Sequence, residues 1–329
     1  MRSTSGAMAS LAALLLLQTA TVVCTANAET YPARTVTMIV PYPAGGPSDT
    51  LARVITERMK TALGQSIIIE NVTGAGGSIG TGRVARAAPD GYTLSLGHVQ
   101  THVINAATQN LSYDVVKDFE PVGLIADTPQ WLIGRKTLPP GDVKGLIAWL
   151  KQTDKATSGA VGVGGPTDLA AAYFQKATGT KFQLVPYRGG APLIQDLLSG
   201  QIDFTFGQAA NYLGHARSGQ LKPFAVLSAK RWWAAPDVPT MDEAGVPGLH
   251  ASFWHGLWVP KGTPKEIVAK LNAALSETLR DEAVKKRMAD IGQEIWPVAQ
   301  RTPEALAAQQ KTEIERWWPI IKAAGIKTQ

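Results

Sequence analysis

Strand-like and helix-like segments alternate over the first hundred residues, and this alternation constrains the fold more than any other feature. Residues 35–40 form a β-rich run that leads into a glycine loop. A helical segment follows, marked by apolar residues at every fourth position: Leu51, Ile55, Met59 and Leu63. The same order then returns, with strands expected at 67–72 and 92–96 around a helix at 78–88. A β-α-β-α-β order predicts a parallel sheet, so the expected fold class is α/β.

Two further helices are expected near the C-terminus, each beginning at a Thr-Pro pair. The run Thr-Pro-Lys-Glu at residues 263–266 has the form of a capping box with proline at the first helical position. A second Thr-Pro pair at 302–303 predicts the start of the last helix. This helix should reach about Ala324 and stop at Gly325, and Pro319 predicts a kink or an early end.

Two short motifs in the first part of the chain, together called the echo, recur in its middle. The sequence Val-Pro-Tyr at residues 40–42 recurs at 185–187, and Gly-Gly-Pro-Ser-Asp at 45–49 recurs as Gly-Gly-Pro-Thr-Asp at 164–168. Each glycine pair precedes an expected helix, where free N–H groups and the helix dipole favour an anion. Two such junctions suggest a ligand with two acidic ends. The alternative is that polar residues of the two motifs only cap their own helices: Ser48 or Asp49, and Thr167 or Asp168.

Length and charge narrow the class of protein. The 329 residues correspond to about two domains. With 45% hydrophobic and 18% charged residues, the composition is that of a globular protein. The net charge of +6 comes from scattered basic residues, and the longest basic run is Lys-Lys-Arg at 285–287. Nucleic-acid binders usually cluster their basic residues, so we expect anionic partners but no nucleic acid.

The N-terminal segment predicts export. Residues 1–28 combine a single charge, an apolar core at 11–17 and an Ala-Asn-Ala cleavage site, which together are typical of a secretory signal peptide cleaved after Ala28. The mature chain would begin at Glu29 in the periplasm, without cysteine and therefore without disulfides. Cys24, the only cysteine, is a candidate lipid anchor, although Val23 stands before it where a small residue is preferred. No later run reaches the roughly 18 apolar residues of a membrane helix.

Several motifs along the chain carry a family resemblance. They are Pro-Tyr-Pro-Ala-Gly-Gly at 41–46, Gly-Ala-Gly-Gly at 74–77, Ala-Pro-Asp-Gly-Tyr-Thr-Leu at 88–94, Val-Pro-Tyr-Arg-Gly at 185–189 and Pro-Lys-Gly-Thr-Pro at 260–264. In this order they resemble the Bug family, the TctC-like periplasmic receptors of tripartite tricarboxylate transport. The resemblance spans essentially the whole mature chain. It implies a two-lobe periplasmic-binding-protein (Venus flytrap) fold, with a mostly parallel sheet flanked by helices in each lobe.

The resemblance also implies a division of the chain and a function. The first lobe would comprise residues 29–127 and 252–329, and the second lobe residues 128–251. A small organic carboxylate, either a dicarboxylate or an aromatic acid, would be held between the lobes and delivered to the membrane components of a tripartite tricarboxylate transporter. Such a receptor is expected to be a monomer that performs no chemistry and needs no cofactor or metal.

The family pattern implies part of the ligand site. One carboxylate of the ligand would be held by backbone amides of the glycine loops from both lobes. The residues that match this pattern are Tyr42, Pro43, Ala44 and Ser48 in the first lobe, Gly164, Gly165 and Thr167 in the second, and Asp203 near the hinge.

The other end of the ligand is expected to meet less regular residues. His98, Gln100 and Thr101 follow the third strand, at the carboxyl end of a parallel sheet where ligands usually bind. Arg188 either adds to the general surface charge or binds a carboxylate of the ligand through its planar guanidinium group. Two further candidates are Gln208, as an amide donor, and Trp254, as a pocket wall or a core residue.

Two other functions are compatible with parts of the sequence. Gly-Gly-Ser-Ile-Gly at residues 76–80 satisfies the nucleophile-elbow pattern, so the alternative enzyme is a secreted α/β hydrolase that uses Ser78. His215, His250 or His255 would then have to act as its base. The other alternative is a ligand sensor for a signalling partner. No glycine loop completes a dinucleotide or phosphate-loop motif, and His98 with His102 lacks a third metal ligand.

Overall fold

The computed structural model describes residues 31–161 and 164–326. The expected signal peptide, its cleavage site and Cys24 lie outside these described residues. The strands are β1 (Val36–Val40), β2 (Ile67–Asn71), β3 (Thr93–His98), β4 (Phe119–Asp127), β5 (Gln130–Arg135), β6 (Thr157–Val161), β7 (Gln183–Tyr187), β8 (Phe204–Gln208), β9 (Leu221–Val226), β10 (His255–Pro260) and β11 (Glu294–Ile295).

Helices surround these strands and are numbered here in chain order. They are α1 (Pro47–Leu63), α2 (Ser78–Ala85), α3 (Asn105–Thr108), α4 (Val143–Leu150), α5 (Pro166–Thr178), α6 (Gly190–Ser199), α7 (Ala209–Arg217), α8 (Lys265–Thr278), α9 (Glu282–Asp290) and α10 (Pro303–Ala324). Short 3-10 turns occupy Ala75–Gly77 and Val298–Gln300, and a π-helical turn occupies Gln100–Ile104.

The first sheet has the strand order β11-β4-β10-β3-β1-β2. Strand β1 pairs in parallel with both β2 and β3, which confirms the predicted β-α-β-α-β unit. Strand β10 enters from much later in the chain and pairs antiparallel with β3 and β4. The four periodic apolar residues of α1 are buried against this sheet, which explains why their spacing predicted the helix: Leu51, Ile55, Met59 and Leu63.

The second sheet has the strand order β7-β6-β8-β5-β9. Strand β6 pairs in parallel with β7 and β8, whereas β5 pairs antiparallel with β8 and β9. Within the first sheet β1 to β4 run in one direction, against β10 and β11, and within the second sheet β6 to β9 run in one direction, against β5. Most strands of each sheet are therefore parallel, as expected. Two α/β lobes, each with its own sheet, form the molecule, as expected.

A short antiparallel ribbon joins the two sheets. The chain passes from β4 to β5 through Thr128 and Pro129, and it returns to β10 through the residues before His255. The two passages bond to each other: the N–H of Phe253 donates to the carbonyl of Thr128 at 2.8 Å, and Pro129 pairs with Ser252. This ribbon is the covalent connection between the lobes.

The helix ends test the turn chemistry expected from the sequence. The hydroxyl of Thr302 accepts a hydrogen bond from the N–H of Ala305, as predicted. The prediction of a capping box at 263–266 is wrong. The Thr263 hydroxyl donates instead to the carbonyl of Pro260, at 2.7 Å, and α8 starts without a side-chain cap. Helix α10 ends at Gly325 as expected, but Pro319 does not end it early, since Trp317 and Ile321 on either side are buried.

Candidate functional site

A cleft of about 1460 Å³ lies between the lobes and is lined by residues from both. It opens at the carboxyl ends of five strands, β1 and β3 of the first sheet and β6, β7 and β8 of the second. Side chains and loops converge at this edge of an α/β sheet, where ligands usually bind.

Four of the described helices begin at the wall of this cleft. Their first residues are Pro47 of α1, Ser78 of α2, Pro166 of α5 and Gly190 of α6, and all four line it. The first N–H groups of a helix have no intrahelical acceptor, and the helix dipole places partial positive charge at the same end. The cleft is therefore suited to an anion contacted from both lobes.

The two glycine loops of the echo have matching structures. Gly45 and Gly164 adopt left-handed backbone conformations, with φ of 78° and 72°. The N–H of Gly45 donates to Asp49 at 2.9 Å, and the N–H of Gly164 donates to Asp168 at 2.7 Å. Neither α1 nor α5 has a side-chain N-cap, so the simple capping interpretation is wrong. The aspartates hold the loops in shape and leave the first helical N–H groups free of side-chain caps.

Neutral histidines form part of the cleft wall. The ring of His98 stacks on Tyr42 with centroids 4.7 Å apart, and its Nδ1 accepts a hydrogen bond from the N–H of Gln100 at 3.0 Å. Burial, together with the nearby His255, lowers the pKa of His98 well below its ordinary value. A neutral ring whose Nδ1 accepts must carry its proton on Nε2. His98 is therefore a neutral hydrogen-bond donor.

His255 lies opposite His98 in the pairing of β10 with β3, and the two rings are 5.3 Å apart. Its Nε2 lies 3.3 Å from the hydroxyl of Ser48. Burial lowers the pKa of His255 to about 4. The two histidines and Ser48 thus supply uncharged polar groups between the start of α1 and the end of β3.

The charged groups of the cleft have one sign. None of its described lining residues is an aspartate or a glutamate, and its two cations are Arg86 from the first lobe and Arg188 from the second. Both side chains are exposed. Arg86 makes a long hydrogen bond to Ser112, at 3.4 Å, and neither guanidinium has an ion-pair partner among the described residues.

Gln208, at the end of β8, presents a further donor. Its side chain is 8% exposed and lines the cleft, and its Nε2 has no hydrogen-bond partner in the described structure. A buried amide donor without a partner costs free energy, so this group is suited to a ligand oxygen.

The structure brings ten of the fourteen predicted site residues to the cleft. These are Tyr42, Pro43, Ala44, Ser48, His98, Gln100, Gly165, Thr167, Arg188 and Gln208.

The other four lie away from the cleft wall, each for a structural reason. Trp254 is fully buried against Trp258 in the core. Asp203 precedes β8 at the end remote from Gln208, where Arg135 and Thr157 bind its carboxylate. The hydroxyl of Thr101 exchanges hydrogen bonds with the backbone of His98, and Gly164 does not line the cleft and donates its N–H to Asp168.

Several lining residues were not among the predicted ligand residues. Phe253 and His255 reach the cleft only because β10 inserts beside β3, a long-range pairing that leaves no local signal. Arg86 and Tyr113 of the first lobe also line the cleft. The loop at 73–79 was noted for its glycines, and the left-handed conformations of Gly74, Gly76 and Gly77 explain them.

The hydrolase alternative finds no support in this geometry. Ser78 is the first residue of α2, and in the described part of the chain no histidine bonds to its hydroxyl. His215 bonds to Gln220, and His250 bonds to Asp242, away from the cleft. His255 lines the cleft, but its Nε2 lies 3.3 Å from the hydroxyl of Ser48 and not beside Ser78.

The described residues contain neither a metal-binding cluster nor a membrane-spanning helix. Residues 31–161 and 164–326 contain no group of three or more His, Cys, Asp or Glu side chains placed to hold a metal. His102 stacks on Trp258, 3.8 Å away, rather than sharing a site with His98. Among the described helices, none combines the length and apolarity needed to span a bilayer.

Two α/β lobes around an anion-suited cleft define the class of solute-binding proteins. A sequence model described as "Tripartite tricarboxylate transporter family receptor" (TctC) matches residues 51–326. The chain belongs to this family of periplasmic solute-binding receptors, which confirms the resemblance seen in the sequence.

Individual relatives agree over nearly full length. A protein encoded in the TAR-I ttuE-ttuC′ intergenic region of Agrobacterium vitis is 42% identical, over 90% of this chain and 86% of the relative. The structure of MatC from Rhodopseudomonas palustris with bound malate is 40% identical, with a TM-score of 0.80, and covers 88% of this chain and 100% of MatC. The periplasmic binding protein BugD is also 40% identical, with a TM-score of 0.80, over 91% of this chain and 100% of BugD.

Proposed function

We propose that this protein captures a small organic carboxylate between its lobes and delivers it to the membrane components of a tripartite tricarboxylate transporter. The observation that carries the proposal is the make-up of the cleft, which combines helix N-termini from both lobes with two unpaired guanidinium groups and no described carboxylate side chain. Malate bound to the related MatC supports the same ligand class.

The ligand's first carboxylate would lie between the starts of α1 and α5. Backbone N–H groups of the two glycine loops would donate to it from both lobes, and Ser48, His98 and Gln208 would add side-chain donors. Because the nearby imidazoles are neutral, this part of the site binds the anion through dipoles rather than through a full positive charge. This set of donors would bind a carboxylate without contacting the rest of the ligand.

Binding would shift the protein from open to closed forms. A ligand that contacts both lobes binds the closed form more tightly than the open form. The ratio of its affinities for the two forms sets how far the equilibrium shifts toward the closed form. We propose lobe bounds of 29–127 with 252–329, and 128–251, supported by the sheet to which each strand belongs. The receptor would act as a monomer without catalysis or cofactor, after export and cleavage behind Ala28.

A thermal-shift screen of the protein purified from the periplasm tests this function. The panel contains aliphatic, aromatic and amino-acid carboxylates, with uncharged amides of the same acids as matched controls. A ligand at 100 times its Kd adds about 2.7 kcal/mol to the free energy of unfolding, so Tm should rise with concentration for an acid but not for its amide. NMR of the recovered ligand should show it unchanged. If no acid raises Tm, or if an acid is converted, the proposal is wrong.

A further inference from the structure

We infer that Gln293 is a positioning residue for ligand binding: on lobe closure its side-chain oxygen accepts a hydrogen bond from the amide of Gln208 and holds that amide toward the ligand. Gln293 belongs to the first lobe and Gln208 to the second. The inference rests on the proposed carboxylate-binding function and deepens it, because it names a residue outside the cleft that acts on ligand affinity through Gln208.

A second, smaller cavity of about 330 Å³ adjoins the cleft and is called the side cavity here. The first lobe lines it with the start of α1 and with residues 290–293, and the second lobe lines it with Gln208 and the start of α7. Four described residues line both the cleft and the side cavity: Gly45, Pro47, Gln208 and Asn211. Gln293 lines the side cavity but not the cleft. The amide of Gln208 therefore lies where the two cavities meet.

Two buried polar atoms of the side cavity have complementary chemistry. Gln208 is 8% exposed and Gln293 is 3% exposed. The donor Nε2 of Gln208 and the acceptor Oε1 of Gln293 have no hydrogen-bond partner among the described residues. Each buried group without a partner costs free energy, and one hydrogen bond between them removes both costs.

The backbone keeps the two glutamines close to the connection between the lobes. Gly292, which precedes Gln293, packs against Ala210, since a Cβ added to Gly292 would lie 2.7 Å from the Cβ of Ala210. The carbonyl of Gly292 also accepts a hydrogen bond of 2.7 Å from the hydroxyl of Thr128 in the ribbon. Residues near a hinge move little when lobes rotate, so a small closing movement is enough to bring the amides of Gln208 and Gln293 together.

The amide of Gln208 can donate in both cavities at once. Its nitrogen carries two N–H donors, so one can donate to a ligand oxygen in the cleft while the other donates to Oε1 of Gln293. Turned by half a rotation, the same amide would place its own oxygen against these two acceptors. The oxygen of Gln293 therefore fixes which end of the Gln208 amide faces the ligand.

The bond would join the lobes only in the closed form, so its loss should destabilise the closed complex. Association of the ligand with the open form does not need the bond. Stopped-flow fluorescence of a variant without the Gln293 acceptor should therefore show faster ligand dissociation at an unchanged association rate.

Isothermal titration at pH 7.5, with the acid that raises Tm most in the thermal-shift screen, tests the inference. Gln293→Leu removes the acceptor and keeps a side chain of similar size, and it should weaken binding about fivefold. In a Gln208→Leu background, where no amide is left to position, the same substitution should change Kd by less than about twofold. A merely structural role of Gln293 would give the same loss of affinity in both backgrounds.

Gln310→Leu is the matched control. Gln310 is also a buried glutamine of the first lobe, at 6% exposure, but it lines neither the cleft nor the side cavity. Its Nε2 donates to the carbonyls of His102 and Val115, so the substitution should lower Tm and leave Kd unchanged. Tm of each ligand-free variant reports folding. If Gln293→Leu does not fold, Gln293→Asn keeps an amide but withdraws the acceptor by one methylene, and it should weaken binding in the same way.

The outcomes separate the two proposals. If the substitution of Gln293 leaves Kd unchanged, if its effect persists in the Gln208→Leu background, or if the loss lies in the association rate, the positioning role is wrong while carboxylate binding stands. If no carboxylate of the panel binds the wild-type protein, the proposed function itself fails and the inference fails with it.

Discussion

Asp49 and Asp168 occupy the same position in two matching loops but differ in their electrostatic surroundings. Each accepts a hydrogen bond from the first glycine of its loop, at 2.9 Å and 2.7 Å. Burial raises the pKa of Asp49, but hydrogen bonds from Arg53, the loop glycine and Asn71 outweigh burial and leave the pKa lowered. Ala172 stands at the position of Arg53 in the second motif. There burial dominates and raises the pKa of Asp168 to about 6.

Replacing Asp168 by Asn should stabilise the protein at neutral pH. The folded pKa of about 6 lies above the unfolded value of about 3.9, so the stabilising contribution of the neutral carboxyl is full below about pH 4 and is lost as pH rises through 6. Asp168→Asn removes the charged form and keeps an acceptor for Gly164. Urea unfolding should show a gain of roughly 2 kcal/mol at pH 7.5 and almost none at pH 4.

Asp49→Asn is the matched control and should act in the opposite direction. Its lowered pKa means that the charged carboxylate stabilises the fold above the unfolded pKa, and that this contribution is lost as pH falls through the folded pKa. The substitution should therefore lower the free energy of unfolding at pH 7.5. If both substitutions changed the free energy of unfolding in the same direction, the electrostatic difference between Asp49 and Asp168 would be contradicted.

The ring of His98 should be neutral, with its proton on Nε2, at pH 5.5. Burial lowers its pKa, and the N–H of Gln100 occupies Nδ1. Long-range proton–nitrogen NMR of the imidazole rings distinguishes the two tautomers and the charged form. His255, whose pKa is lowered to about 4, should also be neutral at this pH. A charged His98 ring at pH 5.5 would contradict the proposal that neutral hydrogen-bond donors bind the first carboxylate.

Gln208→Glu should weaken carboxylate binding at least tenfold. The substitution replaces an unpartnered amide donor in the cleft by a carboxylate, which repels the ligand and cannot donate. Isothermal titration with the acid that raises Tm most measures the change. Gln201→Glu, at an exposed position before β8 outside the cleft, provides the same change of charge and should leave affinity unchanged. Equal effects of both substitutions would show a general charge effect instead.

Gly292→Ala should bias the lobes apart and weaken ligand binding. Gly292 of the first lobe contacts Ala210 of the second, and an added Cβ would lie 2.7 Å from the Cβ of Ala210 and 3.2 Å from its Cα. Small-angle scattering of the ligand-free variant should show a larger radius of gyration than that of the ligand-free wild-type protein. Because only the closed form binds tightly, the apparent Kd should rise in inverse proportion to the remaining closed fraction.

Gly245→Ala is the control for backbone strain at Gly292. Gly245 also has a positive φ, of 88°, but no atom lies within 4 Å of an added Cβ. It should lower Tm without changing the radius or Kd. If both variants change Kd equally, the contact between Gly292 and Ala210 does not set the lobe angle.

Local chemistry made much of the fold predictable. The spacing of Leu51, Ile55 and Met59 predicted α1 because those residues face the sheet, and Gly64 ends the helix with φ of 73°. The capping box at 263–266 failed because a nearer carbonyl satisfies the Thr263 hydroxyl. Local patterns are reliable where packing and hydrogen bonding agree with them.

The site was less predictable because it depends on long-range pairing. Residues 98–101 could be placed at the end of a parallel strand, but nothing local places His255 opposite His98. Trp254, directly before β10, lies in the core, whereas the next residue, His255, begins the strand and lines the cleft. The sequence alone does not define which of Trp254 and His255 lies in the core and which lines the cleft.

The position of β10 between β3 and β4 sets an order of assembly. The first sheet lacks its central strand until residues 255–260 are available, whereas the second sheet is complete once β9 exists. As the chain emerges, strands β1 to β4 leave unpaired edges that persist through the whole of the second lobe. The first lobe can therefore complete its sheet only when the last quarter of the chain, from His255 onward, is present.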